Sequence, residues 1–424
     1  MATSRMTMSW WIVAALGVGA LAAAAPRFGR GRAVDAGGES LRMAPAIGMP
    51  GAPATSVEGL AQRIAVMEAR LRESPSDVAA AVLLSDALLR QARATSEGRH
   101  ANRAADVLER TLERNPGQYD ALRMLGAIEL SRHRFWQALE IGQRARDARP
   151  DDAWNYGVIG DALIELGDYD AAFDAFDRMA ALRPNADAYA RISYARELRG
   201  DLPGAREAMQ LAADATPAHD LEAKAWYTAH TGELLLKLHR VADAEREFRR
   251  AVFFYPDYPH AAIGLGKTML ARGAADKALT IFREQLRRTP TLDLAARVGD
   301  LYRARGQGEE AEPYYVLAET LGGPPAAQTE ANLALFLAEH GRKPELALRI
   351  AESVAAMRHD IFTEDALSMA LLVNGRIAEA GAAAERARRT GSRDERILAH
   401  AVEIAGNAKS AATEHVVQQL LLNR

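Results

Sequence analysis

The sequence predicts an all-α protein built from stacked helix–turn–helix units. Two observations predict it. The first is composition. Aromatic residues make up only 6% of the 424, charged residues 26%, and Ala, Leu, Arg and Glu recur throughout. Such a mixture favours helices that pack closely. The second is a period. Pro116, Pro150, Pro184, Pro217, Pro256 and Pro290 follow one another at 34, 34, 33, 39 and 34 residues. Twelve residues before each stands an alanine (Ala104, Ala138, Ala172, Ala205, Ala244 and Ala278), and Ala311 continues the series.

Each position of the repeat has a physical role. Twelve residues before the alanine comes a small residue: Gly126, Gly160, Gly232, Gly266 and Gly299, with Ser193 once. Small residues there let two helix backbones approach. Gly167, Gly200, Gly273, Gly306, Gly341 and Gly375 fall where the first helix should end, since glycine accepts the left-handed conformation of a helix terminus. Four residues after the alanine, Phe176, Phe248, Phe282 and Tyr315 can fill the space between helices. The proline then stops the second helix.

The period and its columns resemble the tetratricopeptide repeat. The stretches "VIGDALIELGDYDAAFDAFDRMAALRP" and "AIGLGKTMLARGAADKALTIFREQLRRTP" carry the likeness best. It covers residues 57–424 with about 9–10 units. The resemblance implies a right-handed, elongated α-solenoid with a concave face. The edges depart from the pattern. "LAQRIAVMEARLRESP" reads as a lone second helix. Residues 76–116 fit only with about seven inserted residues around "ATSEGRH". "LGGPPAAQTE" interrupts the pattern before Ala347 and Ala380 resume it, and the C-terminus reads as a degenerate last unit. Terminal units of a stack must show a polar face to water, so irregularity is expected there.

Residues 1–32 form a separate segment. No charge occurs from Met6 to Ala25, and twenty helical residues span roughly 30 Å, one hydrocarbon core. Two readings stand: a signal peptide cleaved near Ala22–Ala25, or an uncleaved membrane anchor with Trp10 and Trp11 at an interface. The first makes the rest periplasmic or secreted; the second tethers it. Arg27, Arg30 and Arg32 nearly balance Arg5 and the amino terminus, which leaves orientation open. Residues 33–56, dominated by Gly, Pro and Ala, read as a flexible linker.

"GLGKT" at 264–268 mimics the end of a phosphate loop, but that motif needs a glycine five residues before Gly266, where Ala261 stands. Leu265 and Gly266 are instead in register with Leu125–Gly126 and Ile159–Gly160. None of the ten histidines sits in a metal-binding spacing, and no nucleophile elbow occurs. The absence of cysteine excludes disulfides and thiolate chemistry. A net charge of −3 gives no field to recruit nucleic acid. We therefore expect no enzyme activity and no cofactor.

Proteins of the resembled family line their concave groove with first helices. That implication puts Trp154, Asp161, Arg191, Tyr194, Trp226, His230, Glu233, His260, Lys267, Arg297 and Asp300 in or near a groove. Trp and Tyr beside paired charges suit a protein or peptide partner. One family variant grips a C-terminal carboxylate with a Lys and an Asn one turn apart; no such pair occurs at matching positions. The expected function is a non-catalytic protein-binding scaffold, or an assembly subunit of a membrane or envelope complex.

Overall fold

The structure, a computed structural model, describes residues 57–95, 98–218, 220–256, 258–323 and 331–422. The expectations for residues 1–56 and for the interrupting loop at 324–330 lie outside them. The described residues form twenty helices and no strand. A lone helix α1 (Val57–Glu73) comes first. Nine pairs follow, numbered here as units 1 to 9: α2 (Val78–Thr95) with α3 (Gly98–Arg114), α4 (Tyr119–Ser131) with α5 (Phe135–Ala148), α6 (Ala153–Leu166) with α7 (Tyr169–Leu182), α8 (Ala186–Leu198) with α9 (Leu202–Ala215), and α10 (Leu221–Lys237) with α11 (Val241–Phe254). Units 6 to 9 are α12 (Pro259–Ala271) with α13 (Ala275–Arg288), α14 (Leu292–Arg303) with α15 (Gly308–Gly322), α16 (Asn332–Glu339) with α17 (Pro344–Ala355), and α18 (Ile361–Val373) with α19 (Ile377–Ala387). The expected degenerate last unit is a single long helix, α20 (Glu395–Leu422).

The repeat columns explain this order. Each of α3, α5, α7, α9, α11 and α13 ends two residues before its proline, because the residue preceding proline is driven out of helical conformation. The six turn glycines all have positive φ, between 62° and 85°. Units 2 and 5 have no glycine there, and His133 and His239 take the left-handed conformation instead, each at φ 57°. Many first helices begin on an Asp or Asn whose carboxylate or amide oxygen accepts a backbone N–H, as at Asp152, Asn185, Asp220 and Asp360. Such caps satisfy donors that the helix itself leaves open.

Glycine and aromatic columns meet inside units 3, 5, 6 and 7. A Cβ on Gly160 would lie 2.3 Å from Phe176, on Gly232 2.8 Å from Phe248, on Gly266 2.3 Å from Phe282, and on Gly299 2.6 Å from Tyr315. Phe176, Phe248 and Phe282 are fully buried. Unit 2 has glycine in both columns, Gly126 and Gly142, and in other units a missing aromatic comes with a changed partner. Unit 4 pairs Ser193 with Met209, and the serine hydroxyl donates to the Ala205 carbonyl at 2.7 Å. Ser85 does the same to Ala104 in unit 1, which fixes the seven-residue insertion at the end of α2. In unit 8 the sizes are swapped: Leu335 stands in the glycine column and Ala351 in the aromatic one, both buried.

First helices also pack on one another across units: α4 on α6, α10 on α12, α16 on α18 and α18 on α20. Among the described residues no two second helices pack to a comparable extent. First helices therefore occupy the inside of the curve.

The stack winds tightly enough to meet itself. The Ile361 N–H donates to the Tyr169 hydroxyl at 2.8 Å. Arg358 pairs with Glu165 at 2.6 Å and with Asp360 at 2.7 Å. Arg389 donates to the Gly167 carbonyl at 3.2 Å and lies over the Tyr169 ring. A Cβ on Gly200 would lie 2.5 Å from the Gly391 carbonyl oxygen. Lys237 reaches Asp394 at 3.6 Å, and His239 reaches Glu395 at 3.8 Å. The turn of unit 3 thus lies against the junction between units 8 and 9, and the turns of units 4 and 5 against the junction after unit 9. One superhelical turn takes about five and a half units. The seam joins two edges of the α-solenoid expected from the sequence.

Candidate functional site

The inner face is built from three columns of the repeat. Eighteen, fourteen and eleven residues before the column alanine lie Trp154, Trp226 and His260; Arg191, His230 and Arg297; and Asp161, Tyr194, Glu233, Lys267 and Asp300. Steps of four and three keep these residues on one helix face. All eleven expected groove residues are on first helices, and nine of them are partly exposed there.

The other two are not. Asp161 and Arg191 are each 3% exposed and form a two-point ion pair, with guanidinium nitrogens 2.9 and 2.6 Å from the carboxylate oxygens. Burial pushes the Asp161 carboxyl up, and the guanidinium opposes that rise. The pair joins unit 3 to unit 4 and has no surface to offer a partner.

Similar rungs follow along the inside. Lys237 donates to Glu197 at 2.7 Å between units 5 and 4. Lys267 donates to both oxygens of Glu233, at 2.9 and 2.8 Å, between units 6 and 5. Burial works against the Glu233 charge, and Lys267 outweighs it, so the carboxyl titrates below its usual range. His340 contacts Asp300 at 2.9 Å between units 8 and 7. At the C-terminal end His400 lies between Asp365 (2.9 Å) and Glu339 (3.1 Å). Burial disfavours its charge, but the two carboxylates raise its pKa to about 9. These charges tie neighbouring units together. The sequence signal for them is an acid in one unit and a base at the same or a nearby column of the next.

Units 5 and 6 differ. The 39-residue spacing lengthens α10 to 17 residues, and its inner stripe reads Trp226, His230, Glu233, Lys237. Trp226 and His230 are stacked, with centroids 3.8 Å apart. Tyr258, which precedes α12, stacks on His260 at 5.4 Å. Burial lowers the His230 pKa and brings that of His260 down to about 4, so both rings are neutral at pH 7. Among the described residues, the buried Trp226 Nε1–H and the Tyr258 hydroxyl find no hydrogen-bond partner. An unpaired buried polar group costs free energy. Trp226, His230, His260 and Lys267 are partly exposed and present flat rings and one ammonium, while Tyr258 is buried. Tyr258 was not among the sequence-derived residues, because it stands outside the helix and its columns.

The remaining expected residues are spread along the inside. Trp154 in α6 has Arg123 over its ring at 5.2 Å. Tyr194 in α8 has its hydroxyl pKa raised by burial. Arg297 in α14 lies 5.7 Å from the Phe282 ring. Gly264, Gly266 and Lys267 are in the interior of α12, where both glycines face phenylalanines and no loop cradles a phosphate. Among the described residues no cluster of three metal-ligating side chains occurs, and no helix is long and apolar enough to cross a membrane.

The tetratricopeptide repeat model matches three stretches, residues 92–153, 158–220 and 231–293. Residues 92–293 carry tetratricopeptide repeats. The matches run from the end of α2 to the start of α14, over the units with the most regular columns. No curated protein matches the sequence. Solved structures similar to this tetratricopeptide array include human IFIT1 as a dimer with m7Gppp-AAAA (17% identity, 78% of this chain, 76% of that chain, TM-score 0.51). Yeast Tom70 is similar over 86% of this chain and 88% of its own (15% identity, TM-score 0.46). Cut9, from an APC/C hetero-tetramer with Hcn1, is similar over 75% of this chain, which spans 60% of Cut9 (17% identity, TM-score 0.47). At such identities the likeness concerns the fold alone.

Proposed function

We propose that the array is a non-catalytic scaffold whose protein partner docks on the inner face of units 5 to 7. The observation that carries this reading is the pair of stacked ring surfaces, Trp226 on His230 and Tyr258 on His260, with a Trp N–H and a Tyr hydroxyl left without hydrogen bonds. Trp and Tyr are enriched among the residues that dominate protein interfaces. Along the inside, Asp161 with Arg191, Glu233 with Lys267, Glu197 with Lys237 and Asp300 with His340 are held in pairs between units. Residues 1–32 hold the scaffold to a membrane or export it across one, and the linker 33–56 gives it reach. An assembly role in a membrane or envelope complex agrees with the same features.

The test is capture of partners from native membranes by wild-type chain and two variants. Trp226→Ala and Arg297→Glu should each weaken capture of the same protein while leaving the melting midpoint nearly unchanged. Undiminished capture by both variants would remove the inner face as the docking surface.

A further inference from the structure

The outside of the array changes sign along its length. Two, five, six and nine residues after the column alanine, each second helix turns one stripe of side chains away from its first helix. In unit 5 the stripe reads Arg246, Arg249, Arg250 and Phe253, all exposed. In unit 6 it reads Thr280, Arg283, Glu284 and Arg287, all exposed, and exposed Arg288 follows. Units 3 and 4 place Asp174, Asp177, Glu207 and Asp214 at the same columns, with Arg178 their only base there. The outer face is therefore acidic up to unit 4 and basic over units 5 and 6. Residues 240–288 hold ten bases and six acids, a net charge of +4 in a chain whose total is −3.

In the sequence these arginines alternate with acids and read as a neutral, salt-bridged face. The fold separates the two signs. Arg249 is 70% exposed and its partner Glu245 only 7%. Arg246 and Arg250 likewise stand outside Asp243 and Glu247. The acids lie toward the array and the guanidinium groups toward water.

Apolar side chains stand among these cations. Phe253 ends the unit 5 stripe and is 81% exposed. Val316 of unit 7, in the column of Arg249 and Arg283, is half-exposed. Moving such groups out of water is favourable. Arg287 and Arg288 also meet the negative end of α13, but that role does not account for an exposed ring in the same column. First helices occupy the inside of the curve, so this face is convex. Its shape suits a flat partner rather than one that must be clasped.

We propose that the outer face of units 5 and 6 docks on an anionic phospholipid surface. The guanidinium groups of Arg249, Arg250, Arg283 and Arg287 meet lipid phosphates, which match their paired N–H donors. The Phe253 ring enters the headgroup layer, where amphipathic surfaces bury their aromatic residues. The acidic outer faces of units 3 and 4 then turn toward water. This contact depends neither on the inner face nor on residues 1–32. Each base near an anionic leaflet raises affinity about fivefold.

The test uses the full chain and its lack of cysteine. Phe253→Cys carries a polarity-sensitive fluorophore, and a second protein carries it at Asp174→Cys on the outside of unit 3. Each is mixed with vesicles of phosphatidylcholine alone, or of equal parts phosphatidylcholine and phosphatidylglycerol. A membrane anchor in residues 1–32 holds the chain on either vesicle, so the difference between the two reports on the labelled face. The label at 253 should shift to the blue on the anionic vesicles only, and the label at 174 on neither. Adding Arg249→Gln with Arg287→Gln should lower the ratio of shifted to unshifted label about twentyfold, as two lost phosphate contacts predict. Helix content should stay as in wild type, because Glu245 keeps Arg272 and Glu284 keeps Arg288. Should that variant lose helix, salt decides: the shift of the singly substituted protein should vanish as salt screens the charges, and a shift that survives high salt would contradict the ionic contact. A label at 253 with one spectrum on both vesicles, or a label at 174 that shifts with it, would overturn the proposal. So would a shift caused by an oligonucleotide or polyglutamate and not by vesicles, which would assign the face to an acidic macromolecule.

Discussion

Replacing Arg191 with Met should lower the unfolding free energy by about 3–5 kcal/mol, the cost of stranding a buried charge. Arg191 and Asp161 are shut away from water and satisfy each other through two short contacts. Removing the guanidinium leaves the carboxylate with no cation to offset its desolvation. The loss should therefore depend on Asp161. In the double variant Arg191→Met with Asp161→Leu both charges are gone, and an apolar contact takes their place. Replacements of that kind are often neutral or stabilising. Urea denaturation followed by circular dichroism should show a marked fall in midpoint for the single variant and recovery of most of it in the double. Equal midpoints for Arg191→Met and wild type would mean that the pair is not buried.

The second large effect is expected at the glycine column. Gly266→Val puts a branched side chain where even a Cβ would be 2.3 Å from the Phe282 ring. Phe282 has no exposed surface and cannot swing away. Overpacking of this kind costs about 1–3 kcal/mol, and more where the backbone must move. Phe282→Leu in the same chain should return part of the loss, because the clash is with that ring. Measured as a double-mutant cycle, the two changes should couple by at least about 0.5 kcal/mol, as contacting residues do. Simple additivity would show that the two columns do not meet.

These effects separate what the sequence makes legible from what it does not. Local geometry is legible. A proline ends a helix, a glycine turns the chain, and a glycine column faces an aromatic column, so the period alone yields unit boundaries and packing partners. Irregular units are legible in part. Ser85 and Ser193 hold the place of glycine, but the size reversal at Leu335 and Ala351 breaks the columns without breaking the fold. His133 and His239 take a conformation normally left to glycine, and nothing in their neighbours signals it.

The candidate site divides in the same way. Helical spacing puts the eleven expected residues on the inner face. It does not say which of them are consumed by pairing, since that depends on how far one unit rotates relative to the next. Asp161 and Arg191 look like groove residues by column and are core residues by contact. The seam is the least legible feature. Tyr169 and Ile361 are 192 residues apart, no repeat column relates them, and their contact follows from small rotations summed over several units.

The claim that a partner docks on the inside is tested most directly by site-specific photo-cross-linking in the cell. A photoreactive phenylalanine derivative is placed at His260 on the inner face or at Phe253, 81% exposed at the end of the second helix α11. The inner position should yield a discrete covalent adduct with one protein, and the outer position none. An adduct from Phe253 with none from His260 would contradict the account.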